Sequence, residues 1–373
     1  MMHLEPLKIA MVTDNYYPKT GGVEYCVDAL ARYLTKLGHH VTIITHTMPN
    51  QPKTEQKGLL FIQRTSYSEL LALLSGISSR SKIDFSQFDV IHAHSLSSIL
   101  AVLSILIAKK TGKAHVLTSH SLYGSLDRFF LKLLAQFVNH TICVSQAVVK
   151  NMLSMNKKMT TYCIPNGFDT NSPNGNGDFF GMKRHPDKLI VTTVSRLTNK
   201  KAVSDFIKIA NVLLKKYNSL RFIVVGDGPQ RKVLQQTTQK LCISEHVLFT
   251  GNLPRTAVFN LIQQSDIFVL ASPLEAFGMV ILEAIYHKIP IVARNNNGIS
   301  DFITSGHNGY LASSIQEMTN HIMQLIDNPK LRIEFANNAH GLVNKFQWDN
   351  IALQTEKVYR ELFSNRIDPV KRE

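Results

Sequence analysis

The sequence predicts an α/β protein built from two doubly wound domains, each a parallel sheet covered by helices on both faces. Three observations lead there. The chain has 373 residues, too many for one ordinary core when domains run to roughly 100–200 residues. Short apolar, β-branched runs alternate with stretches of helical periodicity, the signature of a parallel sheet with crossover helices. Midway, a stretch rich in Asn, Gly, Pro and Asp interrupts that alternation, which then restarts. With 44% hydrophobic and 18% charged residues the chain lies in the globular range.

In the first half, strands are expected over residues 7–13, 41–45, 90–92, 115–118 and 141–144, where Val, Ile, Leu and Thr cluster. Helices are expected over 23–37, 95–109 and 126–138. The irregular stretch 170–188 reads as a linker between domains 1–169 and 189–345. Strands follow over 189–194, 220–225, 247–249, 267–271 and 290–293, with helices over 202–216, 230–241, 257–264 and 279–287. A last helix over 349–363 carries residues 346–373 back toward the first domain. Trp348, the single tryptophan, reads first as a core residue, with an anchor for that return as the alternative. Ligands of such sheets bind beyond the carboxyl ends of the strands, so two such edges facing each other would make a cleft.

Composition removes several function classes. The first residues lack the basic and apolar regions of a signal peptide. The longest apolar run, 96–108, holds 13 residues broken by serines, short of the roughly 20 that span a bilayer. Cys26, Cys143, Cys163 and Cys242 show no metal-like spacing and are expected as core thiols of a reducing, cytoplasmic compartment. The net charge of +14 divides evenly, 17 basic to 10 acidic residues over 1–170 and 24 to 17 beyond. An even spread argues against a nucleic-acid stripe while leaving attraction to anionic lipid or phosphorylated substrates.

The candidate chemistry lies in sheet-edge loops. Gly21-Gly22 follows the first strand, where a dinucleotide site would require G-x-G-x-x-G, and the second strand ends in Thr45-His46 without the acidic residue such a site needs. Arg196, Lys200 and Lys201 follow the strand 189–194, where cations oppose a helix dipole unless an anion is bound; two lysines pointing into water are the alternative. Ser272 to Glu283 runs from a strand through Gly278 into a helix, a backbone anion site that Gly278 would let a phosphate approach. Glu283 is flanked by apolar residues and, if buried, needs a hydroxyl or cation partner; an exposed stripe is the alternative. Gly226-Asp227-Gly228-Pro229 is a sheet-edge loop equally compatible with an ordinary turn. His120 ends another strand. His92 and His94 share a strand face at zinc-like spacing, with no convincing third ligand. Neither a D-x-D pair nor a phosphate-binding P-loop occurs, so a diphosphate here must be held by Arg, Lys and backbone dipoles.

Together these residues resemble glycosyltransferase family 4, retaining enzymes of the GT-B fold, two Rossmann-like domains facing across a cleft. The resemblance rests on Gly21-Gly22-Val23-Glu24, on Ser195-Arg196-Leu197 with Lys201, on Glu275 and Glu283 at the family's E-x7-E spacing, and on Ile164-Pro165-Asn166-Gly167 and Gly226 to Pro229. It covers nearly the whole chain. Two departures stand out: Asn297-Gly298-Ile299-Ser300-Asp301 replaces the frequent Gly-Gly-Ile-Pro-Glu, and Ala202 replaces the usual Gly after the lysine. The resemblance implies a nucleotide-diphosphate sugar, UDP-linked, held by the second domain without metal or other cofactor. Arg196 and Lys201 would neutralise the diphosphate, and Glu283 would bind the ribose. Glu275 would orient the sugar with the backbone of Phe277, Gly278 and Met279, with Gly228 also on the donor side. From the first domain Gly22 would meet the phosphate and His120 the sugar.

The implied reaction moves a hexose or N-acetylhexosamine to a lipid or cell-envelope glycan. A nucleotide-sugar epimerase or a non-catalytic sugar-nucleotide-binding subunit is the rival reading; epimer formed from donor alone would favour the first, and binding without turnover the second. The stretch 129–138, with Arg128 and Lys132 among its apolar residues, reads as a core-facing amphipathic helix, or else as one lying on an anionic membrane; 70–77 is a second apolar stretch. The expected setting is the cytoplasm, peripheral to the membrane if the second reading holds.

Overall fold

A computed structural model describes residues 5–19, 21–76, 83–169, 188–295 and 298–367. The 170–188 stretch, apart from residue 188, and Asn297 fall outside them. The chain divides into two compact units, Met1–Gly167 with Phe346–Glu373, and Phe168–Lys345.

The first unit opens with β1 (Lys8–Thr13), α1 (Gly22–Lys36) and β2 (His40–His46), followed by a hairpin, β3 (Thr54–Lys57) and β4 (Leu60–Thr65), that periodicity did not announce. Next come α2 (Tyr67–Ser75), β5 (Val90–His94), α3 (Ile99–Lys110), β6 (Ala114–Ser119), α4 (Ser125–Ala135), β7 (His140–Cys143), α5 (Gln146–Leu153) and β8 (Thr160–Cys163). The sheet order is β3-β4-β2-β1-β5-β6-β7-β8, parallel throughout except where β3 meets β4.

The second unit holds β9 (Leu189–Val194), α6 (Val203–Leu214), β10 (Leu220–Val225), α7 (Arg231–Lys240), β11 (Val247–Gly251), α8 (Arg255–Gln263), β12 (Ile267–Leu270), α9 (Met279–Tyr286), β13 (Ile291–Arg294) and β14 (Tyr310–Ala312). Helices α10 (Ile315–Asp327) and α11 (Pro329–His340) close it, and α12 (Trp348–Ile367) returns to the first unit and packs on α1. The order β11-β10-β9-β12-β13-β14 is parallel throughout. Each half is the doubly wound domain of a GT-B fold, with β1 and β9 each flanked by strands from both directions of winding. That makes the β1/β5 and β9/β12 edges the switch points where ligands of such sheets bind.

Trp348 is a core residue standing where the chain returns. It is 2% exposed, donates from Nε1 to the Tyr25 hydroxyl at 3.3 Å, and stacks on Tyr33. Gly167 lies beneath it, where a Cβ would come within 2.2 Å of the indole.

Several boundaries and burials depart from expectation for identifiable reasons. The 95–109 helix starts only at Ile99, because Ser95 adopts φ +69° and Ser98 caps α3 by accepting from the Ala101 amide. The 126–138 helix stops at Ala135, and it does not face the core. Leu126, Phe129, Phe130 and Leu133 are 71–79% exposed, while Ala135 is its buried residue. Of the 70–77 stretch, Leu70 is buried and Leu71 exposed; residue 77 lies outside the described residues. Cys26 and Cys143 are core thiols, but Cys163 and Cys242 are exposed, at a strand end and after a helix where the apolar run no longer faces inward. No helix among the described residues is long and apolar enough to cross a membrane.

Candidate active site

The second unit's switch point is built from the loops after β9 and β12. After β9 the chain runs through Arg196, which is exposed, into a single 3₁₀ turn, Asn199–Lys201, that aims Lys201 across at the loop after β12. There Lys201 Nζ meets Glu275 Oε2 at 2.6 Å. Gly278 starts α9 at φ +78°, a left-handed conformation that only glycine adopts cheaply, and no side chain caps the helix. No side chain therefore serves the first turn of α9, where the Ile281 amide donates to the Gly278 carbonyl at 2.9 Å. Phe277 turns its ring into the core against Phe302, leaving its backbone to the loop. Gly298 supports the loop from behind: a Cβ there would fall 2.1 Å from the Glu275 carbonyl oxygen.

Glu283 is buried, at 4% exposure, so the exposed-stripe alternative fails. Its carboxylate lies 3.0 Å from Arg255, the cation that burial demanded. Burial pushes the Glu283 pKa up and the Arg255 charge pulls it back. The loop after β10 packs against the one after β9, since a Cβ on Gly226 would meet the Ser195 carbonyl at 2.1 Å and one on Gly228 the Leu197 carbonyl at 2.4 Å. The Gly228 amide donates to Asp227 Oδ1 at 2.7 Å. Both glycines thus have a packing reason, and the Gly228 amide is already engaged.

In the first unit, Gly21 and Gly22 are not there for unusual angles. Gly21 is extended, with φ −173°, and Gly22 opens α1 with nothing within 4 Å of where its Cβ would stand; the pair supplies room. His120 ends β6 and meets a second imidazole, His94 Nδ1 lying 3.1 Å from His120 Nε2. His92 lies against His94 with the rings tilted by 32°, its nitrogens joined to the Tyr359 hydroxyl and to Thr118 Oγ1 at 2.5 Å each. These bonds occupy both His92 nitrogens and explain the strand spacing without zinc; among the described residues no group of three His, Cys, Asp or Glu could hold a metal. Burial pushes His92 down to about 3, His94 well below the usual imidazole range and His120 down to about 4, where Asn166 opposes the shift. The imidazoles are neutral hydrogen-bonding groups at pH 7.

The structure brings together Lys201 with Glu275, Gly278 with the Glu275 loop, and His120 with Asn166. Reading the sequence missed Arg255, Gly298 and the use of His94. Arg255 opens α8, two residues before the helix expected over 257–264 begins, and its partner is 28 residues away in sequence. The His-x-His spacing was the available signal for His94.

Residues 20–172 match the family Glycosyltransferase Family 4, and 178–341 match Glycosyl transferases group 1. The chain carries glycosyltransferase family 4 domains in both halves. Among relatives of this glycosyltransferase, a human phosphatidylinositol N-acetylglucosaminyltransferase subunit is 29% identical over 97% of this chain and 78% of its own. The alpha-monoglucosyldiacylglycerol synthase of Acholeplasma laidlawii is 24% identical over 95% and 97%. Sucrose-phosphate synthase from Thermosynechococcus elongatus shares the fold with a TM-score of 0.78 at 19% identity, over 96% of this chain and 99% of that one. Anabaena HepE, solved with UDP and glucose, does so at 0.75 and 19%, over 95% and 100%. The protein is an enzyme of the glycosyltransferase class, and the epimerase alternative gives way.

Proposed function

We propose that the enzyme transfers a hexose or N-acetylhexosamine, with retention, from a UDP-sugar to a lipid-linked acceptor, as a peripheral protein on the cytoplasmic side of an anionic membrane. The outward face of α4 carries this reading. Leu126, Phe129, Phe130 and Leu133 form an exposed apolar row, with Arg128 and Lys132 on the same helix. That pairing of shallow apolar burial with basic groups suits an anionic lipid surface. The names of the phosphatidylinositol and diacylglycerol relatives support a lipid acceptor, the UDP in HepE supports the donor, and cysteines outside any disulfide, two of them exposed, suit a reducing compartment.

In this mechanism the acceptor hydroxyl attacks the anomeric carbon on the face the diphosphate leaves. The carbon–oxygen bond to the β-phosphate breaks, and the hydroxyl proton passes to the departing phosphate oxygen. Lys201 and Arg196 stabilise the charge that develops on UDP, with no metal required. Glu275, which holds Lys201 in the donor-free chain, turns to the sugar hydroxyls with the Phe277, Gly278 and Met279 backbone, and Glu283 takes the ribose. Gly22 gives room beside the donor phosphate, Gly228 shapes the donor-side loop, and His120 accepts from or donates to the sugar.

Sedimentation with vesicles containing phosphatidylglycerol tests the acceptor side. The protein should bind at low salt and release as salt rises. The Phe130→Asp, Leu133→Asp pair should cut partition at least tenfold, since each apolar side chain buried contributes roughly 1.5–3 kcal/mol. Indifference to these vesicles, with efficient transfer to a soluble sugar, would overturn the lipid reading.

A further inference from the structure

Strand β5 ends on His94, and its surroundings hold that imidazole still. Ser95 turns the chain away from the strand in the left-handed region, at φ +69°, while its amide donates to the Thr118 carbonyl of β6 at 2.8 Å. The His94 residue is 1% exposed, and its ring centroid lies 4.1 Å from that of His92. His92 is itself fixed at both nitrogens, by the Tyr359 hydroxyl and Thr118 Oγ1. His94 also lines a cavity of about 220 Å³ that opens between the loops after β1 and β5.

His94 Nδ1 faces His120 Nε2 at 3.1 Å, with the two ring planes 17° apart. Burial pushes both rings far below the ordinary imidazole range, so each carries a single proton at pH 7. One facing nitrogen then donates and the other accepts. If His120 donated, His94 would hold its proton on Nε2, a buried atom with no hydrogen-bond partner among the described residues. If His94 donates, that nitrogen keeps only a lone pair, and the outward N–H belongs to His120 Nδ1. Asn166 stands beside His120 and favours its protonated form, as an amide oxygen facing an N–H does. No neighbour among the described residues acts so on His94. Orphaned buried N–H groups are rare in native proteins, and only the second arrangement gives the outward N–H an acceptor.

We propose that His94 is a positioning residue: donating from Nδ1 to His120 Nε2, it holds His120 as the Nδ1–H tautomer, so that His120 meets the sugar as a hydrogen-bond donor. This rests on the reading above that places His120 at the sugar, and it narrows the accept-or-donate choice left there. A ring locked in one tautomer and one orientation has no reorganisation left to make when substrate arrives.

Nitrogen-15 NMR of the full chain labelled in histidine, at pH 7 and without donor, reads the tautomers directly. His94 and His120 should each show Nδ1 protonated and Nε2 bare. His94→Phe keeps a ring against His92 and removes the donor, so His120 should move toward the Nε2–H tautomer. In that variant kcat/KM should fall at least tenfold, followed as UDP release from UDP-glucose or UDP-N-acetylglucosamine, whichever the wild-type chain turns over. His94→Asn, whose amide nitrogen reaches the place of Nδ1, should restore the His120 tautomer and recover most of the loss. A merely structural role predicts the opposite order, because packing favours Phe over Asn. An Nε2–H tautomer at His120 in the wild-type chain would overturn the inference, and that spectrum decides even where the Phe variant fails to fold. Phe and Asn variants that transfer alike would overturn it too. Slow transfer by His120→Ala beside normal transfer by His94→Phe overturns this inference alone, whereas normal transfer by His120→Ala overturns the reading of His120 at the sugar.

Discussion

The two switch points have the same architecture and opposite chemistry. In the second unit the loops after β9 and β12 bring a cation and an acid together, Lys201 on Glu275 at 2.6 Å, with a second such pair, Arg255 on Glu283, at 3.0 Å. In the first unit the loops after β1 and β5 gather two carboxylates, three serines and a buried imidazole, with no cation in the lining. A doubly wound sheet delivers loop residues to one edge whatever their type. The charges written into those loops then set the two edges apart.

The largest effect that would break this division is in the second unit. Lys201→Ala should lower kcat by about 10²–10³-fold, the loss usual when one donor to a developing oxyanion is removed. Unfolding should hardly change, because Lys201 is 31% exposed and its pair with Glu275 contributes little in contact with water. Steady-state kinetics beside a thermal melt separate the two. Near-normal turnover would reduce the pair to a solvated helix start and remove the contrast between the units.

Acid should act most on the first unit. His120 is held near 4 in the fold against an ordinary value of 6.5, and His92 near 3. The unfolded chain therefore takes up protons that the folded one refuses as pH falls from about 6.5 toward 4. Stability is present above that window and lost within it, on the order of 3 kcal/mol for His120 alone. Among its described residues the second unit has one comparable imidazole, His287, near 4, and Glu283, raised by burial, contributes with the opposite sign. Hydrogen exchange followed from pH 7 to 4.5 should show β5 and β6 losing protection before β9 and β12. Simultaneous loss, or the second unit opening first, would contradict the assignment.

How far these features were legible follows from their range in sequence. Most of the parallel strands were visible because each is a local apolar run, β9 and β10 to the residue, while β4, β8 and β14 were not expected; Glu283's apolar neighbours left burial and an exposed stripe both open. The β3–β4 hairpin was not visible, because Thr54–Lys57 is a polar edge strand without apolar alternation. The exposure of α4 was misjudged because an amphipathic pattern states that two faces differ and not which one meets the core. Arg255, His94 and Gly298 were hidden for a common reason: each acts through a neighbour supplied by a distant loop. Gly298 could be seen in the sequence only as part of the 297–301 segment, and its role of letting the Glu275 backbone come close shows only in the fold.

The smallest effect sharpens the comparison, because each switch point holds one non-glycine residue in the left-handed region, Ser95 at φ +69° and Ala202 at φ +49°. Ala202 stands where the family usually has glycine, between Lys201 and α6. An L-residue in that region costs roughly 1–2 kcal/mol. Replacing it by glycine releases that strain but returns about 0.5–1 kcal/mol through the greater freedom of the unfolded chain. Ala202→Gly should therefore stabilise the second unit by about 0.5–1 kcal/mol, seen as a rise of a few degrees in its melting transition. The first unit's transition should not move. If the strain only accommodates the turn, the KM for donor stays as it was. If it holds Lys201 on Glu275, the KM rises while the melt improves, and the trade would mark Ala202 as a positioning residue of the donor edge. A melt unchanged or lowered by the glycine would show that the 3₁₀ turn bears no strain there, and the parallel with Ser95 would fail.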